Sequence, residues 1–105
     1  MSLGKIDRGI LCSVWDFLHH TWMKPMTITE IYNRFGCRKS TAEKIRDVAI
    51  AIGADVREVD TPGGVAYKTV SLDQGHRAVE REIERLDKER RKTRRSAAAR
   101  RKSLA

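Results

Sequence analysis

The sequence predicts an α+β fold, mostly helical, with a three-helix core, a β-hairpin and a C-terminal helix. Three observations carry this. Thr27–Gly36 places Ile28, Ile31, Tyr32 and Phe35 at helical spacing and closes on a glycine. Cys37–Gly53 repeats the pattern with Ala42, Ile45, Val48, Ala49 and Ile52, after a polar, basic turn. Asp55–Ser71 then alternates apolar and polar residues around Thr61-Pro-Gly-Gly64, as a hairpin does.

The elements follow in order. Ile10, Leu11, Val14, Phe17 and Leu18 define a first helix with Asp7 as its N-cap. Lys24-Pro25 ends it, because the residue before a proline avoids the α region. Thr27 or Thr29 caps the second helix, and Thr27 with Glu30 has capping-box spacing. Gly36 supplies a left-handed closing residue. The third helix starts near Lys39–Thr41 and turns Lys39, Ser40, Glu43, Lys44, Arg46 and Asp47 outward. In the hairpin, Val56, Val59, Val65, Tyr67 and Val70 supply the apolar side, and the two turn glycines tolerate positive φ. Helix, turn, helix, hairpin is the outline of a winged helix-turn-helix, in which an exposed helix enters the DNA major groove.

Three segments are expected: a DNA-binding domain over 1–72, a helix over 73–87, and a basic tail over 88–105. Val79, Ile83 and Leu86 make about two heptads of a dimerisation seam, with packing on the chain's own first helix as the alternative. Beyond Leu86 nothing can build a core, so the tail is expected to be a frayed helix or disordered.

Charge is divided unevenly. The net charge is +8; residues 1–87 hold 13 Lys/Arg and 13 Asp/Glu, and residues 88–105 hold nine cations and one acid. Within the neutral part, Arg34, Arg38, Lys39, Lys44 and Arg46 face a single acid, Glu43, between residues 34 and 46. That excess falls on the turn and third helix, where phosphate and base contacts are made in such a motif. Arg38, Lys39, Ser40, Thr41 and Lys44 are the candidate reading face. Arginine and lysine donate to guanine O6 and N7, and a helix N-terminus receives phosphate. Thr29, Arg34, Gly63, Gly64, Tyr67 and Lys68 are candidate backbone contacts, with Tyr67 equally a core residue. Arg90, Arg91, Lys92, Arg94, Arg95, Arg100, Arg101 and Lys102 add phosphate affinity from the tail.

Thr27–Cys37 follows a pattern of threonine, glutamate three residues on, a buried aliphatic, an aromatic, then Gly-Cys. With Arg38-Lys-Ser-Thr-Ala42, Gly53 and Gly63-Gly-Val-Ala-Tyr67, it resembles the winged helices of DeoR-type regulators and the N-terminal domains of WYL-domain repressors. The resemblance covers residues 8–71. It implies a dimeric, double-stranded-DNA-binding transcriptional regulator, a repressor by kind. The families carry Arg-Asp-Ile/Leu in the third helix, where this chain has Lys44-Ile-Arg46.

Other chemistry finds no support. The two cysteines, Cys12 and Cys37, read as small hydrophobes in a reducing compartment. His19, His20 and His76 lack a matching ligand set, so neither a metal nor a cofactor is expected. No nucleophile–base pair, phosphate-binding glycine loop or paired-carboxylate site is visible, so an enzyme and a small-molecule substrate are not expected. No apolar run approaches a bilayer span and no secretory pattern is present, so a cytoplasmic or nuclear location without membrane contact is expected. The alternative functions are an architectural, DNA-packaging or replication-origin binder of the same fold, or a protein-interaction or RNA-binding winged helix.

Overall fold

Asp7 caps α1, Arg8–Met23: its carboxylate Oδ1 accepts the Ile10 N–H at 2.9 Å. The structure, a computed structural model, describes the backbone of residues 6–104 and the side chains of residues 6–90. α1 buries Leu11, Val14, Phe17 and Leu18 and packs on the third helix, the last strand and the C-terminal helix. It ends at Lys24, whose extended backbone precedes Pro25.

A two-residue strand, β1 (Met26–Thr27), precedes α2 (Ile28–Phe35). Thr27 caps α2 with the full reciprocal capping box: its Oγ1 accepts the Glu30 N–H, and Glu30 Oε1 accepts the Thr27 N–H at 3.2 Å. Gly36 closes α2 at φ +61°, a conformation that costs a side-chain-bearing residue energy. α3 (Lys39–Ala51) buries Ala42, Ile45, Val48 and Ala49. β2 (Asp55–Thr61) and β3 (Gly64–Ser71) follow, and α4 runs from Leu72 to Leu104.

The sheet is antiparallel with order β1-β3-β2, so β3 is central. This corrects the apolar side of the hairpin. Ala66, Tyr67 and Thr69 are buried, while Val65 and Val70 are each 47% exposed. Val65 and Val70 have opposite parity along the strand, so they cannot share a face. The odd face of β3 packs on α1, where Thr69 Oγ1 meets Thr21 Oγ1 at 2.8 Å. Thr21 Oγ1 also donates to the Phe17 carbonyl at 2.7 Å. Only Gly64 of the turn glycines has positive φ, at +113°.

Two features define the C-terminal part. First, α4 is one helix of 33 residues that continues through the basic segment, for which a frayed helix or disorder was expected. Alanine, arginine and lysine are good helix formers, and no glycine or proline follows Gly75. Arg85 bridges Glu82 and Glu89, both at 2.9 Å, which supports the helix up to the point where side chains are described. Second, of the two packings expected for the Val79 stripe, a dimer seam or the chain's own first helix, the intramolecular one is present. Val79 is buried, and Ile83 and Leu86 pack half-buried on the same core. The approach is close because α4 presents Gly75 and Ala78, and a Cβ added at Gly75 would lie 2.9 Å from Leu18 Cδ1. Arg8 clasps Asp87 through two contacts of 2.7 and 2.8 Å, fixing the start of α1 to α4 at that point.

Cys12 and Cys37 are both free thiols, as expected for isolated cysteines. Cys37 packs half-buried on the core, whereas Cys12 is exposed. Cys12 edges a shallow groove of about 290 Å³ formed by Leu11, Trp15, Asp16, Val79 and Ile83. No helix among the described residues is long and apolar enough to cross a membrane.

Candidate nucleic-acid interface

The left-handed Gly36 turns the chain sharply between α2 and α3, and Cys37 N donates back to the Tyr32 carbonyl at 3.1 Å. Arg38 then takes the N-cap position of α3 with extended backbone and no side-chain cap bond. The first N–H groups of α3 are therefore left without a side-chain partner, at the positive end of the helix dipole. Arg38, Lys39, Ser40 and Thr41 are all exposed there. α3 has no acid in its first turn.

Glu43, half-buried one turn into α3, is the acid nearest this face and enters no ion pair among the described residues, while two other acids near it are engaged. Glu30 is held by the α2 capping box. Asp47 accepts Arg46 Nε at 2.8 Å. Arg34 is exposed in the last turn of α2 and Lys44 is half-exposed one turn into α3. Among the described residues, no ion pair involves Arg34, Arg38, Lys39 or Lys44. Thr29 is exposed on α2. Of the predicted residues, Thr29, Arg34, Arg38, Lys39, Ser40, Thr41 and Lys44 thus belong to one pair of packed helices, α2 and α3.

Arg46 behaves differently from its cationic neighbours. Its Nη1 donates to Tyr67 Oη at 2.9 Å, and its guanidinium lies 5.2 Å from the Tyr67 ring centroid. Partial burial works against its charge, but the bonds to Asp47 and Tyr67 outweigh that and hold its pKa above the ordinary value. Arg46 remains a cation and clamps α3 to the central strand.

The hairpin residues do not extend this face. Tyr67 is buried in β3, where its hydroxyl accepts from Arg46, the core placement that the sequence offered as one of its two roles. Lys68 is half-buried and its Nζ turns to the Trp22 carbonyl at 3.4 Å, near the end of α1. Gly63 and Gly64 are exposed at the turn, which Thr61 Oγ1 braces by donating to the Gly64 carbonyl at 2.7 Å. β2 is an acidic strand: Glu58 and Asp60 are exposed, and Asp55 occupies Arg57 at 3.2 Å. A polyanion is repelled along that strand. The signal for this is legible in the sequence as Asp55, Glu58 and Asp60.

Arg90 is exposed on α4. Arg91, Lys92, Arg94, Arg95, Arg100, Arg101 and Lys102 lie outside the residues whose side chains are described. One pairing had no signal in the sequence. His19 and His76, 57 positions apart, bring their Nε2 atoms to 2.9 Å.

Comparison with protein-family models, with curated proteins and with solved structures returned no match.

Proposed function

We propose that this chain is a winged-helix protein that binds double-stranded DNA, with α3 as the reading helix, and that it acts as a transcriptional regulator. The observation that supports this is the first turn of α3. It combines an N-terminus without a side-chain cap, two exposed cations, two exposed hydroxyls and no acid. Such a turn offers N–H donors and hydroxyls to phosphate and arginine or lysine to base edges. Arg34 and Lys44 widen the cationic strip on either side. If each of these four cations neutralises one phosphate, the log–log salt slope is about −3.6, from about −0.9 per contact.

The hairpin has a supporting role in this reading. It fixes α3 through Tyr67 and Arg46, and its acidic β2 strand is not expected to contact the polyanion. The seam at Val79 is consumed by the chain's own core, so the reading needs no dimer through that surface.

The test is a selection from a random duplex library at physiological salt. The full chain is run beside a variant carrying Arg38→Glu, Lys39→Glu and Lys44→Glu. An enriched sequence recovered by the wild type and lost by the variant supports the proposal. Recovery without a motif, unchanged by the variant, moves the function to an architectural role driven by the basic end of α4. No recovery by either refutes duplex DNA as the ligand.

A further inference from the structure

His19 lies exposed on the last turns of α1, and His76 lies half-buried in the second turn of α4. Their Nε2 atoms are 2.9 Å apart, and the ring centroids are 4.8 Å apart. His76 is held in place by stacking on Trp15, with centroids 4.0 Å apart and planes 11° from parallel. Gly75, beside it, is pressed against Leu18, so α4 cannot roll away from α1. Two imidazole nitrogens are thus presented side by side, from two helices that are docked before any ligand arrives.

The spacing has a chemical meaning. Metal–imidazole bonds are about 2.0–2.1 Å long. A nitrogen separation of 2.9 Å therefore subtends about 90° at a shared metal ion. That is the cis angle of square-planar or octahedral coordination, the preference of copper(II) and nickel(II), and it is narrower than a tetrahedral zinc angle. We propose that His19 and His76 form a two-imidazole site for such a divalent late transition metal, which staples α4 to α1. Among the described residues, no group of three or more His, Cys, Asp or Glu converges, so water completes the coordination. The carboxylates of Asp16 and Glu80 lie one turn from His19 and His76 on the same helices and favour a cation. Arg77, the neighbouring cation, is paired with Asp73 at 3.0 Å.

Binding is balanced in protons. Without metal, one Nε2–H donates to the other Nε2. On binding, the donor ring moves its proton to Nδ1 through solvent, both Nε2 lone pairs go to the metal, and no net proton is released. The site is independent of the DNA face, and its test uses no DNA.

The untagged full chain is titrated with nickel(II) chloride at neutral pH, followed by calorimetry and thermal unfolding. One equivalent is expected to bind, with Tm raised by on the order of 10 °C at a hundredfold excess over Kd. His19→Gln and His76→Gln should each weaken binding by roughly a hundredfold, since one imidazole loses the advantage of a pre-held partner. His20→Gln, whose ring instead meets Phe35 edge-on at 5.5 Å, should bind like wild type. Absence of heat and of a Tm rise overturns the proposal, as does wild-type affinity in both pair variants. Should a pair variant fail to fold, copper(II) broadening in the wild-type NMR spectrum decides: loss of signals around His19 and His76 supports the site, and loss centred elsewhere overturns it.

Discussion

Gly75 is the point at which the docking of α4 can be tested. A methyl placed there would sit 2.9 Å from Leu18 Cδ1 and 3.6 Å from Cγ and Cδ2. Leu18 is fully buried, so its side chain has little room to retreat. Overpacking of this kind costs about 1–3 kcal/mol, while replacing glycine by alanine inside a helix returns about 0.5–1 kcal/mol. Gly75→Ala should therefore be destabilising by about 0–2 kcal/mol, against the stabilisation expected at an open helical site. Leu18→Ala alone should cost about 2–5 kcal/mol through lost burial and a cavity. In the double variant the alanine methyl at 75 occupies part of that cavity and no longer meets a leucine. The combined loss should fall short of the sum by about 1–2 kcal/mol. Urea unfolding followed by circular dichroism measures all three values. Additivity within about 0.5 kcal/mol would show that the two residues do not touch, and the close packing of α4 on α1 would be wrong.

Further outcomes follow from the same geometry. Arg38→Glu with Lys39→Glu should reduce duplex affinity and lower the magnitude of the salt slope by about 2, with unfolding midpoints little changed, because both side chains are exposed. Thr27→Ala should cost about 0.5–2 kcal/mol in urea unfolding by breaking the α2 capping box. The buried Thr21–Thr69 pair should respond asymmetrically. With Thr21 donating to the Phe17 carbonyl, Thr69 donates to Thr21. Thr21→Val then strands a buried hydroxyl donor, at about 1–3 kcal/mol, whereas Thr69→Val leaves Thr21 still bonded and should cost less. Equal losses would refute this assignment of the donors.

α1 and α2 were legible because capping residues mark their ends. Asp7, Thr27 and Gly36 are capping residues, and the apolar spacing between them has one face. β1 was not legible, since two residues carry no period, yet it makes β3 central and so decides that Tyr67 is buried. The residues Val79, Ile83 and Leu86 show why periodicity alone leaves two packings open. A heptad stripe is equally satisfied by a second chain or by the chain's own first helix. The choice lies in Gly75 and Ala78, whose small side chains allow close intramolecular approach, and in Arg8, which clasps Asp87. The cationic first turn of α3 was readable as a cluster, but its freedom from ion pairs was not. It depends on Asp47 and Glu30 being engaged elsewhere and on Glu43 pairing with none of these cations.

The arrangement of Arg46 bears on how a reading helix can be specific. A cationic strip alone gives affinity for any polyanion; discrimination between bases needs the helix held at a fixed rotation, because a bidentate contact fails when its donors are displaced. The inner face of α3 offers only small and aliphatic groups, Ala42, Ile45, Val48 and Ala49. Such contacts resist separation but only weakly resist rolling about the helix axis. Arg46 supplies a directional restraint, bonding Asp47 on its own helix and Tyr67 on the central strand. Under the DNA-binding reading, Arg46→Met should therefore behave as a positioning change. Non-specific duplex affinity should persist, since the exposed cations are intact, while preference for the selected sequence over a scrambled one should shrink. A uniform loss on both duplexes would place Arg46 on the phosphate itself and remove the argument for a clamp.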